Sequence, residues 1–206
     1  PKQPTVEKID QRVVMVNKAH KRAVLEKLLH DEAVSRALVF TRTKHGANKL
    51  ARQLEKAGIC AEAIHGNKSQ GARQEALNNF KTGKCWVLVA TDIAARGIDV
   101  EGISHVVNFE LPHEPESYVH RIGRTARAGV GGVAWSLVDP SESKRLRAVE
   151  RLIKQIPMVF FGGENSKVFM HHDIDWANIL HFHFHGKKRC ILFPPDQTEN
   201  LYKVPH

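Results

Sequence analysis

Val87-Leu88-Val89-Ala90-Thr91-Asp92-Ile93-Ala94-Ala95-Arg96-Gly97-Ile98-Asp99 opens as an apolar run and turns polar at Thr91. A short, unbroken apolar run is the pattern of a strand covered on both faces, the usual state of a parallel sheet. Working outward, Ala37–Phe40, a short segment ending at Ile64, His105–Phe109 and Val133–Val138 read as further strands. Between them, Lys18–His30, His45–Ala57, Gln70–Phe80, Glu114–Arg121 and Ser141–Gln155 carry apolar residues at helical spacing. Strands alternating with helices give an α/β fold, a parallel sheet with helices on both faces. In such sheets ligands sit beyond the carboxyl ends of the strands, here the loops beginning at Thr41, His65, Thr91 and Leu111.

Charge separates the chain into two parts. Of 31 Lys and Arg and 22 Asp and Glu, 26 basic and 17 acidic residues precede Ile156, so the whole excess of +9 belongs to residues 1–155. A basic domain attracts phosphate backbones whatever their sequence. Six of thirteen histidines lie beyond residue 170. There the pattern changes to period two: Leu180, Phe182 and Phe184 alternate with His181, His183 and His185. Residues 1–155 and 156–206 are therefore expected to be separate units, the second a short antiparallel β segment that includes Met158–Phe161. No run is long enough to span a bilayer, and nothing resembles a signal peptide. Cys60, Cys85 and Cys190 lack paired spacing; they read as small apolar residues in a reducing cytoplasm rather than a disulfide framework or zinc ribbon.

Downstream of the opening stretch stands His120-Arg121-Ile122-Gly123-Arg124-Thr125-Ala126-Arg127-Ala128-Gly129. Arg121, Arg124 and Arg127 recur every third residue, so on a helical turn they project from neighbouring positions. Guanidinium groups donate in a fixed fork and stay charged, which suits a polyphosphate. The same spacing also occurs on solvated helix faces. The trio alone does not separate the two uses.

Taken with Val87–Asp99, the pattern resembles motifs V and VI of superfamily 2 helicases, and the DEAD-box branch in particular. Three more pieces fit in order: Val39–Thr43 is similar to motif IV, His65-Gly66 with Gln70–Arg73 to the next block, and Val107–Pro112 to the strand leading into motif VI. The resemblance implies the second RecA-like domain of an ATP-dependent RNA helicase. It implies that Arg124 and Arg127 are arginine fingers reaching the γ-phosphate of ATP held by a first RecA-like domain. Asp99 would contact the nucleotide ribose, and His120 and Arg121 would couple the cleft to the neighbouring domain and to RNA. Thr41, Arg42, Gly66, Thr91 and Arg96 would face RNA, with Gln70 and Arg73 tying these motifs together. Asp92 is read as a turn cap. Ala126 stands where a glycine is common in the family.

Two family signatures are missing. No Gly-x-x-x-x-Gly-Lys-Ser/Thr loop and no Asp-Glu-Ala-Asp occurs, so ATP and Mg2+ are expected to need the first RecA-like domain as partner. The isolated chain is then inactive by itself. A different class of reading is an RNA-binding or regulatory fragment.

Residues 157–206 resemble part of a JmjC or cupin-like jelly-roll dioxygenase. That resemblance implies His171 and Asp173 as two Fe(II) ligands and Lys188 and Asn178 as contacts to 2-oxoglutarate. The third histidine ligand lacks a good counterpart, since His206 ends the chain. A truncated iron and 2-oxoglutarate oxygenase is the remaining alternative.

Overall fold

The computed structural model describes residues 9–31, 33–95, 98, 100–125, 131–153 and, for its backbone, 158–162. Seven strands form one sheet: β1 (Ile9–Met15), β2 (Ala37–Phe40), β3 (Ala61–Ile64), β4 (Val87–Ala90), β5 (His105–Asn108), β6 (Gly132–Val138) and β7 (Met158–Gly162). Their order is β3-β4-β2-β5-β6-β1-β7, and every pairing is parallel. The helices are α1 (Lys21–Leu29), α2 (Lys44–Lys56), α3 (Gln70–Thr82), α4 (Asp92–Ala95), α5 (Pro115–Ile122) and α6 (Ser143–Leu152).

The central strands β2, β4 and β5 are buried at every residue; β2 and β4 are unbroken apolar runs, while β5 buries His105 and Asn108 at its two ends. Alternate side chains feed opposite cores. Val39, Val87 and Val89 pack with Leu25 and Leu29 of α1 and with Leu50 and Leu54 of α2. Leu38, Phe40, Leu88 and Ala90 pack with Ala76 and Phe80 of α3 and with Ala94 of α4. A third core joins Val13 of β1 and Ala134 of β6 to Tyr118 and Ile122 of α5 and to Leu146 and Val149 of α6.

Local chemistry sets the helix ends. The Thr43 hydroxyl accepts from Gly46 N at 3.0 Å and the Ser69 hydroxyl accepts from Ala72 N at 3.2 Å, starting α2 and α3. Gly83 ends α3 at φ 77°, where any Cβ would be strained.

Three features differ from expectation. Strand β1, whose Val13, Val14 and Met15 stand beside polar Gln11 and Arg12, has no clear reading in the sequence; pairing with β6 along its whole length creates it. Met158–Gly162 is not antiparallel: it lies parallel to β1, with Gln11 opposite Met158 and Met15 opposite Gly162. Parallel pairing is possible because α6 returns the chain across the sheet to the end where β1 also starts. Finally, Cys60 and Cys85 are not isolated buried thiols. Cys60 is exposed, and its sulfur is disulfide-bonded to Cys85 across a Cα–Cα distance of 5.1 Å.

Candidate nucleotide and RNA interface

Parallel pairing in register places Thr41, His65, Thr91 and the turn after Asn108 at one end of the sheet. Into that end projects Arg121 from the last turn of α5. Its Nε donates to Asp92 Oδ1 at 2.6 Å and Nη2 to Asp92 Oδ2 at 2.8 Å. Nη1 donates to Asn108 Oδ1 at 3.0 Å and to Glu110 O at 2.7 Å. The guanidinium lies over the Phe40 ring, 4.9 Å from its centroid. Arg121 is only 1% exposed. It therefore joins the ends of β2, β4 and β5 to α5, and its donors are satisfied inward. Arg121, expected to couple the cleft to a neighbouring domain, turns its donors inward, whereas His120, exposed one residue earlier, stands on the solvent side. A guanidinium fork with a carboxylate, an amide and a carbonyl around it leaves little donor capacity for any other partner.

A second acid–base contact lies beside it. Glu110 accepts from Arg42 N at 2.9 Å and from Arg42 Nη2 at 3.1 Å. Burial pushes the Glu110 carboxyl up, but the two Arg42 hydrogen bonds and the Arg42 charge outweigh it, holding the group below its ordinary range. Arg42 is thus held in place at the carboxyl end of the interior strand β2, half-buried.

Phe40, Asp92, Ala95, Ser117, His120, Arg121 and Arg124 line a cleft of about 240 Å³. Arg124 borders it, with Nη1 donating to Ile98 O at 3.2 Å and Nε to His120 O at 3.3 Å. Gly123, the residue before it, closes the last turn of α5, its N–H donating to Val119 O at 3.0 Å, and a Cβ there would stand 3.2 Å from that carbonyl.

The remaining expected RNA-facing residues are spread along the same end. Gly66 and Gln70 are exposed. Thr41 is 1% exposed and its hydroxyl donates to Thr43 O at 3.3 Å, while Thr91 is 8% exposed. Both threonines serve the turns at their strand ends as well as any ligand. Arg73 is half-buried on α3, with its Nε buried and without a hydrogen-bond partner. Arg96, Asp99 and Arg127 lie outside the described residues, as do His171, Asp173, Asn178 and Lys188. Among the described residues, no cluster of three or more His, Cys, Asp or Glu side chains could hold a metal ion. None of the described helices is long and apolar enough to cross a membrane.

Sequence reading missed Asp92, Asn108 and Glu110. Asp92 sits in a signal-bearing stretch, but only the fold shows that a residue 29 positions later returns to it.

The profile of the helicase conserved C-terminal domain matches residues 20–129. E. coli DEAD-box protein SrmB, solved bound to regulator of ribonuclease activity A, superposes with a TM-score of 0.71 at 42% identity. The match covers 74% of this chain and 89% of that one. The chain belongs to the helicase C-terminal domain family, in its DEAD-box branch. The C-terminal domain of DEAD-box protein Dbp5 matches with a TM-score of 0.70 at 34% identity, over 76% of this chain and 92% of that one. Dbp5 of S. cerevisiae bound to RNA and ADP BeF3 matches with a TM-score of 0.71 at 33% identity, over 78% of this chain but 44% of its own. The ATP-dependent RNA helicase CshA of Listeria monocytogenes is 48% identical over 154 residues, which are 75% of this chain and 30% of the relative. The DEAD-box CshA of Geobacillus kaustophilus is 47% identical, again over 75% of this chain and 33% of its own. The DEAD-box C-terminal domain described here thus spans about a third of the curated relatives it matches.

Proposed function

We propose that this DEAD-box domain supplies the trans-acting half of an ATPase site and one half of an RNA-binding surface. The observation that carries the reading is Arg124, which lines the same cleft as the Arg121–Asp92 fork. ATP and Mg2+ would be held by a first RecA-like domain, and water attacking the γ-phosphorus would release ADP and phosphate. The work of this chain is electrostatic. Arg124, with Arg127 beside it in sequence, brings positive charge to the phosphoryl oxygens as charge develops, an effect of ~10³–10⁵ in rate. Asp99 is proposed for the ribose and His120 for the contact between domains. Arg121 is assigned to positioning: its fork holds α5, and so Arg124, against the strand ends.

RNA is proposed to run over Thr41, Arg42, Gly66, Gln70, Arg73, Thr91 and Arg96, with the backbone phosphates as the main ligands. The basic excess of residues 1–155 supports this, as does the RNA named with the Dbp5 structure. The cytoplasm is the proposed location, on the strength of the RNA helicase relatives. The boundary expected between Lys154 and Gly163 is proposed at the far end of that range, because Met158–Gly162 pairs with β1 in the helicase sheet. An Fe(II) and 2-oxoglutarate role for residues 156–206 rests on His171, Asp173, Asn178 and Lys188 in the sequence alone.

The test is to mix the full chain with a separately made first RecA-like domain of a DEAD-box helicase, ATP and RNA, and to measure phosphate release. Release is expected only with both proteins and RNA present. Equal release without this chain would leave the regulatory or RNA-binding reading.

A further inference from the structure

At the opposite end of the sheet from the cleft, Cys60 precedes β3 and Cys85 precedes β4. Strands β3 and β4 pair in parallel from Ala61 opposite Val87, and Val87 N donates to Cys60 O at 3.2 Å. This register carries the two Cα atoms to 5.1 Å, inside the ~4.4–6.8 Å span that a disulfide bridges. The two sulfurs differ in access. Cys60 is exposed, whereas Cys85 is 2% exposed. Cys60 Sγ also lies 3.4 Å from Lys84 O, an acceptor for the thiol in the reduced state.

We propose that Cys60–Cys85 is a thiol-exchange site, entered through Cys60 by a small thiol of the glutathione class. The incoming thiolate attacks Cys60 Sγ, the new sulfur–sulfur bond forms there, and the Cys60–Cys85 bond breaks. The electron pair leaves on Cys85 Sγ, which takes a proton. A second thiolate attacks the external sulfur, expelling Cys60 thiolate and the small-molecule disulfide, so two electrons pass to the protein. The small-molecule disulfide reverses both steps. Thiol attack needs an approach to the sulfur that is struck, and only Cys60 offers one.

The bond closes a loop of mechanical consequence. β3 is an edge strand, four residues long, and among the described residues β4 is its one strand neighbour. The disulfide ties its amino end to the interior strand, and the loop so closed contains His65, Gly66, Gln70 and Arg73. Reduction releases that tie and lets β3 and α3 open more often; a resulting change in RNA affinity depends on the proposed RNA surface, whereas the exchange chemistry does not.

The experiment treats the full chain, carrying Cys190→Ser, with oxidised or reduced glutathione, then acid-quenches, alkylates and maps cysteine peptides by mass. A Cys60–Cys85 linked peptide is expected after oxidised glutathione and its loss after reduced glutathione; no linked peptide after oxidation overturns the proposal. In folded single variants, Cys85→Ser should take a glutathione adduct on Cys60 at least about tenfold faster than Cys60→Ser takes one on Cys85. Equal rates overturn entry through Cys60. Amide exchange across residues 61–82 should quicken on reduction of the Cys190→Ser chain, and unchanged exchange overturns the tether. The peptide map decides the chemistry even where a single variant does not fold.

Discussion

Arg121 and Asp92, 29 residues apart, meet as a two-pronged fork, Nε to Oδ1 at 2.6 Å and Nη2 to Oδ2 at 2.8 Å. The fork fixes the geometry of α5 relative to the end of β4, and Arg124 follows one turn later. Replacing Arg121 by Lys keeps charge and loses the fork together with the bonds to Asn108 and Glu110. Breaking a buried charged network of this kind costs about 3 kcal/mol. Asp92 is partly open to solvent, so Asp92→Asn should cost less, about 1 kcal/mol. Urea unfolding of both variants checks the order; equal stabilities would remove the fork as the organising contact.

Arg124 should separate from Arg121 in its effects. It lines the cleft, where its Nη1 and Nε donate to backbone carbonyls, so Arg124→Ala should cost less stability than Arg121→Lys. With the first RecA-like domain supplied, phosphate release should fall by roughly 10³ or more, the loss seen when a phosphoryl-directed arginine is removed. Steady-state release with RNA at saturation reads it, and a fall of only a few-fold would assign Arg124 to structure.

Glu110 gives a pH signature. Its folded carboxyl lies below its ordinary value of 4.5 because Arg42 hydrogen-bonds to the carboxylate. Between the folded and unfolded values the unfolded chain binds the extra proton, so stability rises with pH there. The contribution is complete above about pH 4.5 and is lost as pH falls through the depressed folded value. Glu110→Gln should flatten the acid limb of a stability-against-pH curve relative to wild type. Identical limbs would mean that the Arg42 contact is not formed in solution.

Lys21 and Glu142 form an ion pair at 3% and 4% exposure, with Lys21 Nζ also donating to Phe109 O at 3.0 Å. Glu142 in turn accepts from Leu111 N and from Asp139 N, both at 3.2 Å. The pair thereby anchors the turn between β5 and α5. Lys21→Met leaves Glu142 buried and uncompensated, a loss of about 3–5 kcal/mol. Adding Glu142→Gln should recover part of it, since a neutral amide is cheaper to bury than a lone carboxylate. A double variant no more stable than Lys21→Met would show that packing, not charge, governs the site.

Much of the fold was legible in one dimension. The apolar runs at Ala37–Phe40 and Val87–Ala90 are strands because a segment buried on both faces has no polar position to spare. Helices α2 and α3 were legible from apolar residues at helical spacing over His45–Ala57 and Gln70–Phe80, and the Thr43 and Ser69 hydroxyls, each accepting from an N–H three residues on, fix where they start. The spacing of Arg121, Arg124 and Arg127 and the polar opening at Thr91 carried the family resemblance, and the solved relatives bear it out. Each of these signals is confined to a few neighbouring positions, so the local chain encodes it.

The tertiary structure alone decided which residues meet. Asp92 looked like a cap until the return of α5 brought Arg121 onto it. Cys60 and Cys85 looked like scattered thiols until the β3–β4 register aligned their backbones. Strand β7 is parallel because α6 carries the chain back before it reaches β1, and no periodicity in Met158–Gly162 records that. Side-chain pattern reports burial, which each segment experiences for itself. Partners across 25 to 121 residues are set by sheet order and crossover, which belong to the whole chain.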